Sequence, residues 1–392
     1  MSKQSIYIID KLVNGYNHVT FNAAITSIIA KVYKNQEVIF ICESLHANAI
    51  KSKNSDLANL KYRPYSESPL SPSITKRILP WMKKKLTDLF FINHFYKQTI
   101  KQSSVVFFTC LSTSTLLYTG YKLKLLNIPV YFFLHGEIEF LFLKKISTIN
   151  KIRGEIYKLF FKQLGETSKI VVISEIVKES LVAGKYLSED KVITIEHPIT
   201  PSSSIRKLSI EKKIIFGHIG VAVKKKSSEL FFELSKLHKR EIEKGFVEFQ
   251  LIGKIGNELF LEDSSTVKIL TENNKSLAQD QYEQSIANID YAIFTFTKDN
   301  YVYRASGSVM DAIAFTKPII ALKHHYFDYL FSSAGNIGFL CNNFEELNIL
   351  LNRIILKDKG LLGQYQFQQD NLRKLAKRQS NEEIENKLLT VF

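Results

Sequence analysis

The 392-residue chain has only three cysteines, Cys42, Cys110 and Cys341, set far apart and each in or beside an apolar run. That pattern excludes a disulfide framework or a zinc cluster and fits reduced core thiols, which points to a cytosolic protein. No apolar run approaches the roughly 20 residues that cross a bilayer. The opening MSKQSIYIID passes straight into a strand pattern without the apolar core of a signal peptide. No Asp-x-Asp pair of the kind that clamps a divalent ion on a diphosphate occurs, so neither a metal nor another cofactor is expected.

Acidic residues are also scarce, 38 Asp+Glu against 53 Lys+Arg, which leaves a formal charge of +15. The surplus is uneven. Residues 1–200 hold 27 Lys+Arg and 15 Asp+Glu, so +12 of the charge lies there. A basic half wants an anionic partner, either an acidic membrane surface or a phosphorylated substrate, unless the lysines serve solubility alone. Nucleic acid is not expected, because no groove-reading motif accompanies the charge.

What is present is an ordinary globular balance, 45% hydrophobic and 23% charged, in a chain long enough for two domains of about 200 residues. SIYIID (Ser5 to Asp10) reads as a strand, a loop with Gly15 and Tyr16 follows, an apolar helical face ends near Tyr33, and Glu37 to Cys42 is the next strand. This βαβ opening belongs to a doubly wound α/β sheet, whose ligands gather at the C-terminal strand ends. Lys51 to Ser73, with Pro64, Pro69 and Pro72, reads as a loop or lid. Strands are expected at Ser104 to Cys110, Val130 to Leu134, Lys169 to Ser174 and Val192 to Ile199. Pro198, Pro201 and the following serines form a linker. The same order restarts at Lys212 to Gly220, a strand ending on glycine before the basic loop VAVKKKS.

Residues 288–322, NIDYAIFTFTKDNYVYRASGSVMDAIAFTKPIIAL, read as strand, loop, helix and strand. Ser306, Gly307 and Ser308 stand where a helix begins, and its unpaired amides and dipole favour an anion such as phosphate. Asp311 lies one turn further in, placed to accept hydrogen bonds from ribose hydroxyls. Taken alone, a capped helix with an ordinary surface aspartate is the commoner explanation of such a unit.

YVYRASGSVMDAIAFTKPIIAL resembles the donor-site signature of the GT-B glycosyltransferases, and is similar to the retaining group 1 (family 4-like) enzymes of bacterial surface-glycan synthesis. Their pattern has a Glu, seven residues, a second Glu before Ala, then Pro and an apolar strand. Here Asp311 takes the second carboxylate and Pro318 the proline, while Tyr303 stands in place of the first Glu. A Gly-Arg pair followed about five residues later by Lys maps onto Gly220, Val221 and Lys226, with Lys225 adjacent and the arginine missing.

The resemblance implies two Rossmann-like domains facing across a cleft. They are an acceptor domain over 1–204 and a donor domain over 205–371, with residues 372–392 crossing back to the first. It implies transfer of a sugar, hexosyl in type, from a nucleoside-diphosphate sugar to a glycan or lipid-linked acceptor. The product belongs to capsule, lipopolysaccharide or exopolysaccharide. Asp311 takes the ribose role; Lys225, Lys226, Arg304 and the amides of Gly307 and Ser308 face the diphosphate; Tyr303 and Ser306 line the donor side. His135, delivered at the end of a strand before Gly136, is the candidate for contact with the donor sugar, and Glu137 for the acceptor or a general base. Gly15 and Tyr16 belong to the acceptor-side loop. A non-catalytic nucleotide-sugar-binding or scaffold protein with a degenerate site is the alternative, favoured by Tyr303 and Val221.

Residues 76–102 interleave Lys and Arg with Trp81, Leu86, Phe90, Phe91 and Phe95. Two readings stand side by side: a helix lying on an anionic membrane, which would place the protein on the inner face of the cell membrane, or an aromatic face packed into the first domain.

Overall fold

The computed structural model describes residues 5–13, 18–65, 80–98, 103–124, 128–143, 147–203, 208, 211–260, 263–297, 303 and 306–391. The chain divides into two compact units, residues 1–198 with 381–392, and residues 199–380.

The first unit holds seven strands: β1 (Ser5–Asp10), β2 (Val38–Glu43), β3 (Leu60–Tyr65), β4 (Ser103–Cys110), β5 (Val130–Leu134), β6 (Ser168–Val172) and β7 (Val192–Thr194). They pair in parallel in the order β3-β2-β1-β4-β5-β6-β7. Apolar runs such as SIYIID and VIFICE form buried strands because helices cover both faces of a parallel sheet. Every residue of β1 is buried. The helices are α1 (Val19–Val32), α2 (Ser44–Lys51), α3 (Pro80–Gln98), α4 (Thr113–Leu123), α5 (Thr148–Lys162) and α6 (Glu175–Ala183). Strand order reverses between β1 and β4, so their C-terminal ends border the point where such sheets bind ligands.

The segment 51–73 is not wholly a loop, because it contains β3. Pro64 lies within that strand, opposite Cys42. An edge strand tolerates proline when the side that lacks the N–H faces away from the neighbouring strand, and β3 is the sheet edge. The strand at Val192 stops at Thr194, short of Ile199. On α3, Phe95 is buried edge-on to Tyr7 at 5.9 Å and Phe91 meets Tyr65 at 5.1 Å. Phe95 belongs to the core, Phe91 is half-buried, and Phe90 is exposed.

The second unit holds β8 (Ile214–Ile219), β9 (Val247–Ile252), β10 (Val267–Ile269), β11 (Tyr291–Phe294), β12 (Ile319–Leu322) and β13 (Gly338–Cys341). They are parallel in the order β10-β9-β8-β11-β12-β13, and the switch falls between β8 and β11. Its helices include α7 (Glu229–Leu237), α8 (Gln279–Asn288), α9 (Gly307–Ala314), α10 (His325–Ala334), α11 (Phe344–Ile355) and α12 (Tyr365–Arg378). Phe216, Phe249 and Tyr291 fill the centre, and Tyr365 of α12 donates to the Asp290 carbonyl at 2.9 Å.

Leu372, Leu375 and Ala376 are buried in the core of this second unit, so residues 372–380 stay with it. The return to the first unit begins at Asn381 rather than Leu372. Helix α13 (Asn381–Leu389) buries Ile384 and Leu388 among Ile6, Ile25 and Ile29. Among the described residues no helix is long and apolar enough to cross a membrane, and all three cysteines are buried as free thiols.

Candidate functional site

In the second unit, three segments that are separate in sequence meet at the switch point. Strand β8 closes on Gly220, whose φ of +86° is a conformation that glycine adopts without strain. A methyl group placed on Gly220 would lie 3.5 Å from Ser308 Cβ and 3.6 Å from Lys226 Nζ. The end of β8, the lysine loop and the first turn of α9 therefore converge on one spot. Ser306 caps α9, and its hydroxyl lies 2.9 Å from that of Ser308. Gly307 is exposed with open space beside its Cα. The first amides of a helix have no intrahelical acceptor, and here they stand beside an ammonium group.

The lysine loop is held from below. Lys224–Lys226 form a single turn that ends at Ser227, with φ +51°. Ser228 Oγ accepts from the Val223 amide at 3.1 Å and lies 2.9 Å from His218 Nε2. That oxygen joins the start of the loop to the buried end of β8. Thr295 donates to the Ser227 carbonyl at 2.8 Å, which ties the loop to β11. Burial pulls the His218 imidazole down to about 3, with Lys226 adding to the effect, so His218 is a neutral brace.

Asp311 sits in α9 with Tyr282 Oη donating to its Oδ2 at 2.7 Å. Burial pushes the carboxyl up to about 6; the Tyr282 hydrogen bond pulls it down, Glu283 pushes it up, and Lys226 pulls it down. Burial also lowers Lys226, and Asp311 opposes that shift. Each of the two groups thus favours the charged form of the other. Lys225 is exposed next to Lys226. Val221, where the resembled pattern carries arginine, is 43% exposed and brings no cation. Tyr303 lies edge-on to His325, ring centroids 5.0 Å apart. Arg304 lies outside the described residues, as do Gly15 and Tyr16.

His135 belongs to the first unit, directly after β5. Its Nε2 lies 2.8 Å from the Thr109 carbonyl, which only accepts, so Nε2 carries the proton and Nδ1 is an acceptor. His18 and Phe21 meet His135 edge-on at 5.4 and 5.0 Å, and Phe21 reaches His197 at 5.2 Å. Burial pulls His197 down to about 4, with His135 and His18 pushing the same way. Thr109 also donates to Asp10 Oδ2 at 3.1 Å, and Asp10 accepts from Asn22 and from the amides of Leu12 and Val13. The ends of β1, β4 and β5 are therefore fastened together around His135. Glu137 lies in the short helical turn 136–141 that follows.

Sequence reading singled out Gly220, Lys226, Ser306, Gly307, Ser308 and Asp311, and the structure brings Gly220, Lys226 and Ser308 together with Asp311 nearby. It did not find His218, Ser228 or Tyr282. A polar histidine inside the apolar run IIFGHIG was the available signal for the first, and a lone aromatic in the polar stretch AQDQYEQ for the last. Among the described residues no group of three or more His, Cys, Asp or Glu is arranged to hold a metal ion.

One surface of the first unit is notable beside these sites. Ile149, Ile152 and Leu159 of α5 are 64, 57 and 50% exposed. At helical spacing they share one flank, while Lys151, Lys158 and Lys162 share the other.

Solved structures of the same fold cover the whole chain. A glycosyltransferase from Rickettsia africae ESF-5 is 15% identical at a TM-score of 0.63, covering 100% of this chain and 98% of its own. Anabaena Alr3699/HepE, solved in complex with UDP-glucose, is 12% identical at 0.66, covering 99% and 98%. WaaG, a glycosyltransferase involved in lipopolysaccharide biosynthesis, is 12% identical at 0.62, covering 98% and 99%. The fold is GT-B. No protein-family model matches the sequence, and no curated protein does. In this GT-B chain the residues around Gly220 and Asp311 occupy the second of the two Rossmann-like units, and His135 the first.

Proposed function

We propose that this GT-B protein is a glycosyltransferase that moves a sugar from a nucleoside-diphosphate sugar to an acceptor hydroxyl. The observation that carries the reading is the convergence of Gly220, Lys226 Nζ and Ser308 on one spot. Glycine lets a diphosphate approach the backbone, the α9 amides donate to its oxygens, and the ammonium offsets charge that grows as the glycosidic bond breaks. Asp311 supplies the acceptor for ribose hydroxyls. Lys225 and Arg304 add positive charge on the donor side, with Tyr303 and Ser306 beside it. No metal is needed for charge balance in this reading. His135, with its Nε2–H committed to Thr109, presents Nδ1 as an acceptor toward a sugar hydroxyl, and Glu137 serves the acceptor.

Retention of configuration, a hexosyl donor and a role in surface polysaccharide synthesis complete the proposal. They draw support from the resemblance of residues 301–322 and from the structural similarity to a lipopolysaccharide enzyme. A lipid-linked acceptor fits a protein that rests on an anionic membrane from the cytosolic side. The α5 flank with Ile149, Ile152 and Leu159 beside Lys151, Lys158 and Lys162 supports that placement. Val221 and Tyr303, which replace a cation and a carboxylate of the resembled pattern, favour a second reading, a binding protein without turnover.

Isothermal titration with UDP, GDP and CMP tests the site: micromolar binding selective for one diphosphate is expected, and absence of binding to all three overturns the transferase. Release of the nucleoside diphosphate from the matching nucleotide sugar then separates the enzyme from the binding protein.

A further inference from the structure

We propose that Tyr282 is a positioning residue for the nucleotide: its hydroxyl holds Asp311 in the orientation and charge state that a ribose requires. This rests on the donor-site reading above. The phenol comes from the first turn of α8 and the carboxylate from α9, and their 2.7 Å hydrogen bond is the contact that fixes Oδ2. With Oδ2 engaged, Oδ1 is the oxygen that would accept from the ribose. The tyrosine ring packs beside the apolar core of the second unit, so the donor is anchored before any nucleotide arrives.

A phenylalanine would serve packing equally well, so the hydroxyl has a purpose of its own. Burial pushes the Tyr282 phenol well above its ordinary range, with Asp311 adding to the shift, so at every relevant pH it remains a donor. Three charged or titratable groups face the carboxyl: Tyr282 and Glu283 from α8, and Lys226 from the lysine loop. Burial and Glu283 favour the protonated acid, while Tyr282 and Lys226 favour the carboxylate. Removing the phenol therefore tips Asp311 toward the acid, which donates where a ribose hydroxyl needs an acceptor. The carboxyl lies at about 6 with Tyr282 present; it moves upward without it.

The test is a pH series of UDP-glucose and GDP-mannose binding to the full chain, from pH 5.5 to 8.5. Both probes keep a constant diphosphate charge over this range. Wild type should lose affinity as pH falls through about 6. Tyr282→Phe should shift that midpoint upward, weakening binding about fivefold at pH 6 and less than about twofold at pH 8, the pattern of a one-unit shift. Asp311→Asn should abolish this limb of the profile. 3-Fluorotyrosine at position 282, a stronger donor of the same shape, should shift the midpoint downward and replaces the phenylalanine variant if that variant does not fold. An unchanged midpoint in Tyr282→Phe, with the limb abolished in Asp311→Asn, overturns the role of Tyr282 and leaves the donor site intact. Binding by Asp311→Asn with the wild-type profile, or no binding of either probe to wild type, overturns the donor site itself.

Discussion

Ser228 Oγ lies 2.9 Å from His218 Nε2 while accepting from the Val223 amide, so a buried strand histidine fixes the loop that carries Lys226. The pair is buried, with both residues at most 4% exposed. Burial, with the Lys226 charge beside it, keeps the imidazole neutral there.

His197, His218 and His324 all sit well below the ordinary imidazole value, at about 4, 3 and 4, with burial the leading cause in each. In the unfolded chain each takes a proton below about 6.5, before its folded counterpart does. Stability is therefore full above pH 6.5 and falls as pH drops toward 4, by about 1 kcal/mol per histidine at pH 5.5. Thermal melts between pH 7.5 and 5.5 check this, and a constant melting temperature over that window sinks it.

Asp311→Ala should weaken binding of the matching nucleoside diphosphate by about 1.5 to 3 kcal/mol, the value of hydrogen bonds to a charged group. Titration calorimetry reads it directly. Unchanged affinity in a folded variant removes Asp311 from the ribose site.

The same carboxyl costs the fold stability. Its folded value near 6 lies above the ordinary carboxylate range, so the ionised form, present above pH 6, is the less stable one. Asp311→Asn keeps an acceptor for Tyr282 without the charge, and should melt a few degrees higher than wild type at pH 7.5, with the gain shrinking toward pH 5. A lower melting temperature at both pH values counts against this.

Lys226→Ala should lower kcat more than it weakens donor binding, because charge on the diphosphate increases as the sugar departs. Steady-state kinetics at saturating donor decide the matter. An effect confined to KM would return Lys226 to ground-state binding.

For the membrane surface, the expected result is sedimentation with vesicles rich in anionic lipid, little with neutral ones, and reversal by salt. Ile152→Glu with Leu159→Glu on α5 should abolish it, and changing Lys151, Lys158 and Lys162 to Gln should remove about 1 kcal/mol per charge. Equal recovery of wild type with both vesicle types discards the membrane partner and leaves the transferase standing.

Strand identities were legible in the sequence wherever apolar runs were continuous, as at Val130 to Leu134, since buried parallel strands need no alternation. Strand β3 was hidden because KYRPY is polar and contains a proline, both acceptable on an edge. The residues that converge at the second switch point were legible because they cluster in two short motifs. Tyr282 was not, since its partnership with Asp311 spans two elements and leaves no local spacing to read. The turn from second unit to first was placed too early, because α12 is amphipathic and its sequence does not say which core its apolar face meets.

Helix α13 also sets a constraint on the order in which the protein comes into being. A ribosome that has made residues 1–380 has supplied all of the second unit, yet the first still lacks Ile384 and Leu388 from its core. The unit that begins first is therefore completed last. During synthesis the face of α1 that will receive α13 waits uncovered while 182 intervening residues, 199–380, are translated and fold on their own. Domains made earlier ordinarily fold earlier; here the final closure of the earlier one waits on a segment of its own that is made after the later one.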